Sequence, residues 1–188
     1  KKLENLEIKT RTSVAAFHGY NYLLARENLT DHLPIDQKKE KIRHKLLKIR
    51  AKKVITATGS IERPMIFDNN DRPGIFLSSA IKRYSDFFGV ACGEKIILLT
   101  NNDSAYETAV SLIQKGIYIE AIIDNREEVN SKLTYEVEKN NIKIYKGHTV
   151  TNTSGYKRIS KITIMQLSKD GQKVVGSKIN LSCDCLGV

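Results

Sequence analysis

An α/β fold, with a layer of parallel strands and helices preceded by a small antiparallel β unit, is predicted by three observations. Lys95-Ile96-Ile97-Leu98-Leu99-Thr100 is a continuous apolar run, the pattern of a parallel strand covered on both faces. A helical pattern and a second apolar strand ending on Asp124 follow it, which makes a βαβ unit of about thirty residues. Upstream, short strand-like runs alternate with turn residues and no long helix intervenes.

The 188 residues suffice for one domain or two small ones, and 40% hydrophobic with 28% charged residues is a globular composition. No apolar stretch approaches the ~18 residues of a membrane span, and the first residues carry no apolar signal-peptide core. The net charge of +10 is concentrated between Lys38 and Lys53. No zinc-finger spacing, RNP strand or KH loop accompanies that basic run, so a solvated face or a surface meeting an acidic subunit is expected and nucleic acid is not. Three cysteines, Cys92, Cys183 and Cys185, form no paired framework, which points to a reducing, cytoplasmic setting. Cys183 and Cys185 are expected to share one face of a strand as small buried hydrophobes, with no metal bound.

In chain order, Glu7–Arg11 and Ser13–Phe17 read as extended, His18–Asn21 as a tight turn and Tyr22–Glu27 as the returning strand. Asn28–Arg43 is polar and reads as a mobile surface loop. Lys45–Ala51 resumes a strand, and Lys53–Thr58, with β-branched Val54, Ile55 and Thr56, reads as a buried strand that turns at Gly59 and is stopped by Pro64. Ser78–Phe88 has helical spacing with Ser78 as its cap and Gly89 as its stop. After strand Lys95–Thr100, Asn101–Ser104 forms a capping loop and Tyr106–Lys115 a helix ended by Gly116. Strand Tyr118–Asp124, helix Ser131–Asn140 and strand Ile142–Tyr145 continue the pattern. Two strands close it, Lys161–Leu167 and Lys178–Leu181 running on toward Val188, with Asp170-Gly171 turning between them.

The βαβ unit has the geometry that holds a dinucleotide: Asp124 stands where a carboxylate takes the ribose hydroxyls, and the helix N-terminus offers free N–H groups to a pyrophosphate. The loop departs from that pattern. Thr100, Asn102 and Ala105 replace the glycines, and Asp103 adds a negative charge, so a weak or empty site is expected. His18, His32, His44 and His148 are scattered, and no triad, metal or P-loop spacing occurs. Glu62 and Arg63 are either a binding pair or a solvated turn.

Val54-Ile55-Thr56-Ala57-Thr58-Gly59-Ser60-Ile61-Glu62-Arg63-Pro64, Asp68-Asn69-Asn70-Asp71-Arg72-Pro73-Gly74-Ile75-Phe76 and Thr100-Asn101-Asn102-Asp103-Ser104-Ala105-Tyr106 together resemble the alpha subunit of heterotetrameric sarcosine oxidase. Thr10–Val14 and Gly19–Tyr22 fit the same family, so the likeness covers nearly the whole chain. The Ala-Thr-Gly motif alone is shared by all two-dinucleotide flavoprotein reductases; the two Asn-Asn-Asp stretches are more specific. The resemblance implies a Rossmann-like FAD/NAD(P)-binding three-layer domain, inserted as a second nucleotide-binding domain over 91–188. Residues 1–90 would be the C-terminal part of the first such domain. It implies oxidative demethylation of sarcosine, or of a related N-methyl amino acid or opine, with beta, gamma and delta subunits as partners. NAD would bind the alpha subunit, FAD and covalent FMN mainly another subunit, and tetrahydrofolate a C-terminal domain outside this chain. Ala57, Thr58 and Gly59 would line the dinucleotide site, the backbone at Val14 would approach the adenine, and Asn101, Asn102 and Asp124 would mark the second domain's site. No Gly-x-Gly-x-x-Gly precedes residue 54, so a fragment with no oxidase activity of its own is expected.

Overall fold

The computed structural model describes residues 4–188, which divide into two compact units, one up to Ser60 and one from Ile61 to Val188. The first is an antiparallel meander of β1 (Thr12–His18), β2 (Tyr22–Asn28) and β3 (His44–Arg50), in that spatial order. The β1–β2 hairpin turns through Tyr20 and Asn21, both at positive φ (58° and 53°), which matches the right-handed twist of the flanking strands. The long β2–β3 connection contains a one-turn helix, α1 (Ile35–Lys38). Asp31 ties its ends together: the carboxylate accepts from Arg43 Nε at 2.5 Å, His44 Nε2 at 2.9 Å and Asn28 Nδ2 at 2.9 Å. The hydrogen bond from Arg43, then that from His44, hold the Asp31 carboxyl down at about 2.

Two predicted strands are absent. Glu7–Arg11 is irregular and ends in a turn with Arg11 at φ 52°. Lys53–Thr58 is irregular too, with Ile55 91% exposed. Its β-branched residues have the right intrinsic preference, but no strand pairs with them among the described residues, and a lone strand has neither ladder nor apolar cover.

The second unit is built in three layers. Its middle is a five-stranded parallel sheet in the order β4 (Ile75–Phe76), β11 (Cys185–Gly187), β5 (Ile96–Thr100), β6 (Ile119–Asp124) and β7 (Lys143–Lys146). Every residue of β5 is buried. Ile96 and Leu98 pack with Ile81 of helix α2 (Ser78–Phe88), with Tyr106, Ala109 and Leu112 of α3 (Ser104–Ile113) and with Val137 of α4 (Lys132–Lys139). Ile97 and Leu99 point the other way, onto Val150, Ile162 and Ile164 of a second, antiparallel sheet: β8 (His148–Ser154), β9 (Lys161–Leu167) and β10 (Val174–Ser182). Each such side chain contributes on the order of 2 kcal/mol by leaving water, so β5 anchors both cores at once.

Residues 61–90, assigned to the first domain by resemblance, make their contacts in the second unit. β4 pairs with β11, and α2 supplies Ile81 to the helical core. Helix α2 ends as predicted, at Gly89 with φ 63°. Its N-cap, however, is Leu77 rather than Ser78, which is the first helical residue. α3 begins two residues earlier than predicted, because Asn102 Oδ1 accepts from Ser104 N–H at 2.9 Å and starts the helix there. Ser131 caps α4 by accepting from Thr134 N–H. β8 was not predicted. Its sequence, HTVTNTS, is polar, and only Val150 and Thr153 are buried.

The predicted last strand is two. Between β10 and β11 the Asp184 carboxylate accepts from Glu94 N–H at 2.9 Å and Lys95 N–H at 2.8 Å. The chain there leaves the antiparallel sheet and enters the parallel one. Cys183 and Cys185 therefore lie in opposite cores rather than on one strand face. Both thiols are buried, and burial pushes each up to about 12, whereas Cys92 is partly accessible. A thiol reagent at pH 8 is expected to titrate one cysteine per native chain, Cys92, and all three after denaturation. Rapid native reaction of Cys183 or Cys185 would contradict this packing.

Candidate functional site

In an open parallel sheet, ligands bind outside the carboxyl ends of the strands where the strand order changes direction. Here that point lies between β5, from which the chain winds outward to β6 and β7, and β11 on its other side. A cavity of about 70 Å³ occupies it, walled by Thr100, Asn101 and Asn102 after β5, Val188 after β11, Ser78 of α2, and Glu62 and Met65. Ligand pockets span roughly 300–1,000 Å³, so a dinucleotide does not fit this space.

The groups that would greet a phosphate are engaged within the protein. Thr100 Oγ1 donates to the Asn102 carbonyl at 2.8 Å and accepts from Asn102 N–H at 3.1 Å. The Asn102 side chain takes up Ser104 N–H and the Ser104 hydroxyl, consuming one of the free donors at the start of α3. At α2 the Glu62 carboxylate does the same, accepting from Ser79 N–H at 3.1 and 3.2 Å and from the Ser79 hydroxyl. Of the two readings open for Glu62, neither a ligand-binding pair nor a solvated turn describes it: it caps a helix seventeen residues away. Ala105, in place of the third glycine, is 2% exposed against the sheet.

Asp124, at the tip of β6, has no exposed surface. Its Oδ1 accepts from Arg126 N–H at 2.9 Å and Arg126 Nε at 3.1 Å. Its Oδ2 accepts from Arg126 Nη2 at 2.8 Å and the Tyr106 hydroxyl at 2.9 Å. A carboxylate offers about four acceptor positions, and these donors fill them. Arg126 Nη2 also reaches Asp103 Oδ1 at 2.9 Å, so one guanidinium is shared by the Asp124 and Asp103 carboxylates. Its guanidinium is held more firmly protonated than usual, first by the Asp124 hydrogen bond. Tyr106 is pushed well above its ordinary value of 10, mainly by burial and then by the Asp124 charge.

Asn101, Asn102 and Asp124 thus stand at one end of one sheet, as the βαβ pattern implied. Tyr106 and Arg126, which occupy Asp124, were not singled out from the sequence. The available signal was an arginine two residues beyond a strand-end aspartate. Of the residues in the other unit, Val14 lies on β1, paired with Ala25 and 59% exposed. Ala57, Thr58 and Gly59 are exposed and irregular, with Gly59 at φ 74°.

Replacing Tyr106 by Phe removes one donor from a buried carboxylate and should cost ~1–2 kcal/mol of stability. Arg126→Met leaves the charge mostly uncompensated and should cost ~3 kcal/mol or more. Because folding raises the Tyr106 pKa, the hydroxyl's contribution is complete below pH 10 and fades as pH climbs beyond it. Urea unfolding should show the wild-type advantage over Tyr106→Phe narrowing above pH 10. An advantage constant to pH 11 would contradict the assignment.

No protein-family model matches the chain. It is 33% identical over 178 residues to the sarcosine oxidase subunit alpha of Corynebacterium sp. (strain U-96), an alignment covering 95% of this chain and 18% of that subunit. It is 30% identical over 171 residues to the Rhizobium meliloti (strain 1021) subunit of the same name, covering 87% of this chain and 16% of that one. Among solved structures, a FAD-dependent pyridine nucleotide-disulphide oxidoreductase from Desulfovibrio vulgaris shares the fold. Its TM-score is 0.55 at 16% identity, over 94% of this chain and 42% of that one. The chain spans less than a fifth of the curated relatives' length, and over that segment it is similar to sarcosine oxidase alpha subunits.

Proposed function

We propose that the chain serves an oxidoreductase as part of its alpha subunit. That enzyme would oxidise the C–N bond of sarcosine with oxygen as acceptor, giving glycine and hydrogen peroxide. The methyl carbon would leave as formaldehyde after attack by water or as methylene-tetrahydrofolate after capture by tetrahydrofolate. In this reading the beta, gamma and delta subunits are its partners, and FAD and FMN are held mainly outside it. The segment from Ile61 to Val188 is a scaffold and not the catalytic centre. One observation carries that role: Asp124, the residue placed to take a ribose, has its acceptor positions filled by Tyr106 and Arg126. With Asn102 on the α3 terminus and Glu62 on α2, the residues at this sheet end do not fit NAD. An NAD bound by the subunit would then rest on the Ala57–Gly59 side, with Val14 near its adenine, and would need residues beyond this chain.

A second reading, a non-catalytic docking module of a related flavoprotein amine or opine oxidase, is favoured by the charge distribution. Residues 1–60 hold 14 Lys and Arg against 6 Asp and Glu, whereas the other 128 hold 17 against 15.

Calorimetry of the chain with NAD should show no saturable heat in the micromolar range. Saturation there, lost on Asp124→Asn substitution in a chain whose thermal melting shows the fold intact, would refute the scaffold role of the second unit.

A further inference from the structure

Residues directly opposite one another in an antiparallel ladder project from the same face. The pairs Tyr22–Arg50, Leu24–Lys48 and Arg26–Leu46 therefore line one side of the β1–β2–β3 meander. That side holds no acidic strand residue. Glu27, the meander's one strand carboxylate, pairs with Lys45 on the opposite face, 3.9 Å from Lys9. Arg26, Lys48 and Arg50 are exposed, and none has an ion-pair partner among the described residues. Same-face neighbours along a strand and diagonally across it are ~7–8 Å apart. This lies within the Debye length of about 8 Å in physiological salt, so the three potentials add. Leu46, 60% exposed, lies among them.

Lysine and arginine on an edge strand commonly serve to block edge-to-edge pairing. That accounts for Lys48 and Arg50 on β3. It does not account for Arg26, which stands on the central strand β2, nor for an exposed leucine opposite it. A second copy of this chain would set cations against cations. Single-stranded nucleic acid would want an open aromatic platform, but the ring of Tyr22 is covered by the Arg50 guanidinium at 5.3 Å and flanked by His18 at 5.9 Å.

We propose that this face docks an acidic, extended segment of another subunit of the same enzyme. Its carboxylates meet Arg26, Lys48 and Arg50, and its apolar side chains rest on Leu24 and Leu46. The proposal rests on the alpha-subunit reading. Its test uses the full-length subunit in its assembled oxidase, treated with a carbodiimide, which condenses an amine with a touching carboxylate. The expected product is an amide between Lys48 Nζ and an Asp or Glu of a different subunit. Lys48 left unmodified, or joined only to its own chain, would overturn the proposal. In parallel, Arg26→Glu, Lys48→Glu and Arg50→Glu are combined and their folding is checked by thermal melting. With the fold intact, affinity for the other subunits should drop ~10-fold or more, and wild-type affinity should fall with added salt. Unchanged assembly by the charge-reversed chain sinks this proposal and leaves the alpha-subunit reading standing, as does wild-type retention on duplex DNA that the reversal abolishes. A wild-type subunit that co-purifies alone removes both.

Discussion

Four consecutive aliphatic side chains in β5, from Ile96 to Leu99, have to be kept dry on both faces of a strand. Most of the second unit follows from that requirement. Ile96 and Leu98 demand a layer on one side, which α2, α3 and α4 supply; Ile97 and Leu99 demand one on the other, which β8, β9 and β10 supply. Parallel neighbours on either side satisfy the backbone of β5. With the strand fixed in the middle, its carboxyl end becomes the place where two helix N-termini and the sheet's change of direction converge. The candidate site is thus positioned by hydrophobic burial, before any polar residue is considered.

The polar residues then decide what that place can do. A carboxylate removed from water is costly unless its acceptor positions are filled. Asp124 meets that demand locally, through a bidentate arginine two residues on and a tyrosine from the helix it faces. The same donors that make burial tolerable make the oxygens unavailable to a ribose. Asn102 at α3 and Glu62 at α2 act alike, each giving a helix terminus the acceptor that a phosphate would otherwise provide. Three separate residues thus turn groups suited to a ribose or a phosphate into internal structure.

Much of the fold was legible because it is written in local periodicity. The β5–α3–β6 unit, α2 with its glycine stop, α4 and β9 all fall close to where apolar spacing and caps put them. What escaped depends on partners distant in sequence. β8 is a strand because Val150 meets Ile164 across the ladder, which no alternation in HTVTNTS reveals. Lys53–Thr58 has every local mark of a buried strand, yet strand formation needs a neighbour. At the site, the missing glycines already showed an obstructed loop. That Asp124 is saturated could not be read, because Tyr106 lies eighteen positions away and its hydroxyl could as well have faced solvent.

The position of β11 carries a kinetic consequence. Among the described residues strand β4 has as its sheet neighbour only β11, pairing Ile75 with Leu186. The middle of the parallel layer is thus completed by residues made more than a hundred positions after β4. During synthesis on the ribosome, β4 and one edge of β5 must wait, unpaired and apolar, until Cys185–Gly187 emerges. Long-range pairing of this kind slows folding, and it leaves the nascent layer open to chaperones for nearly the whole time it takes to translate the second unit.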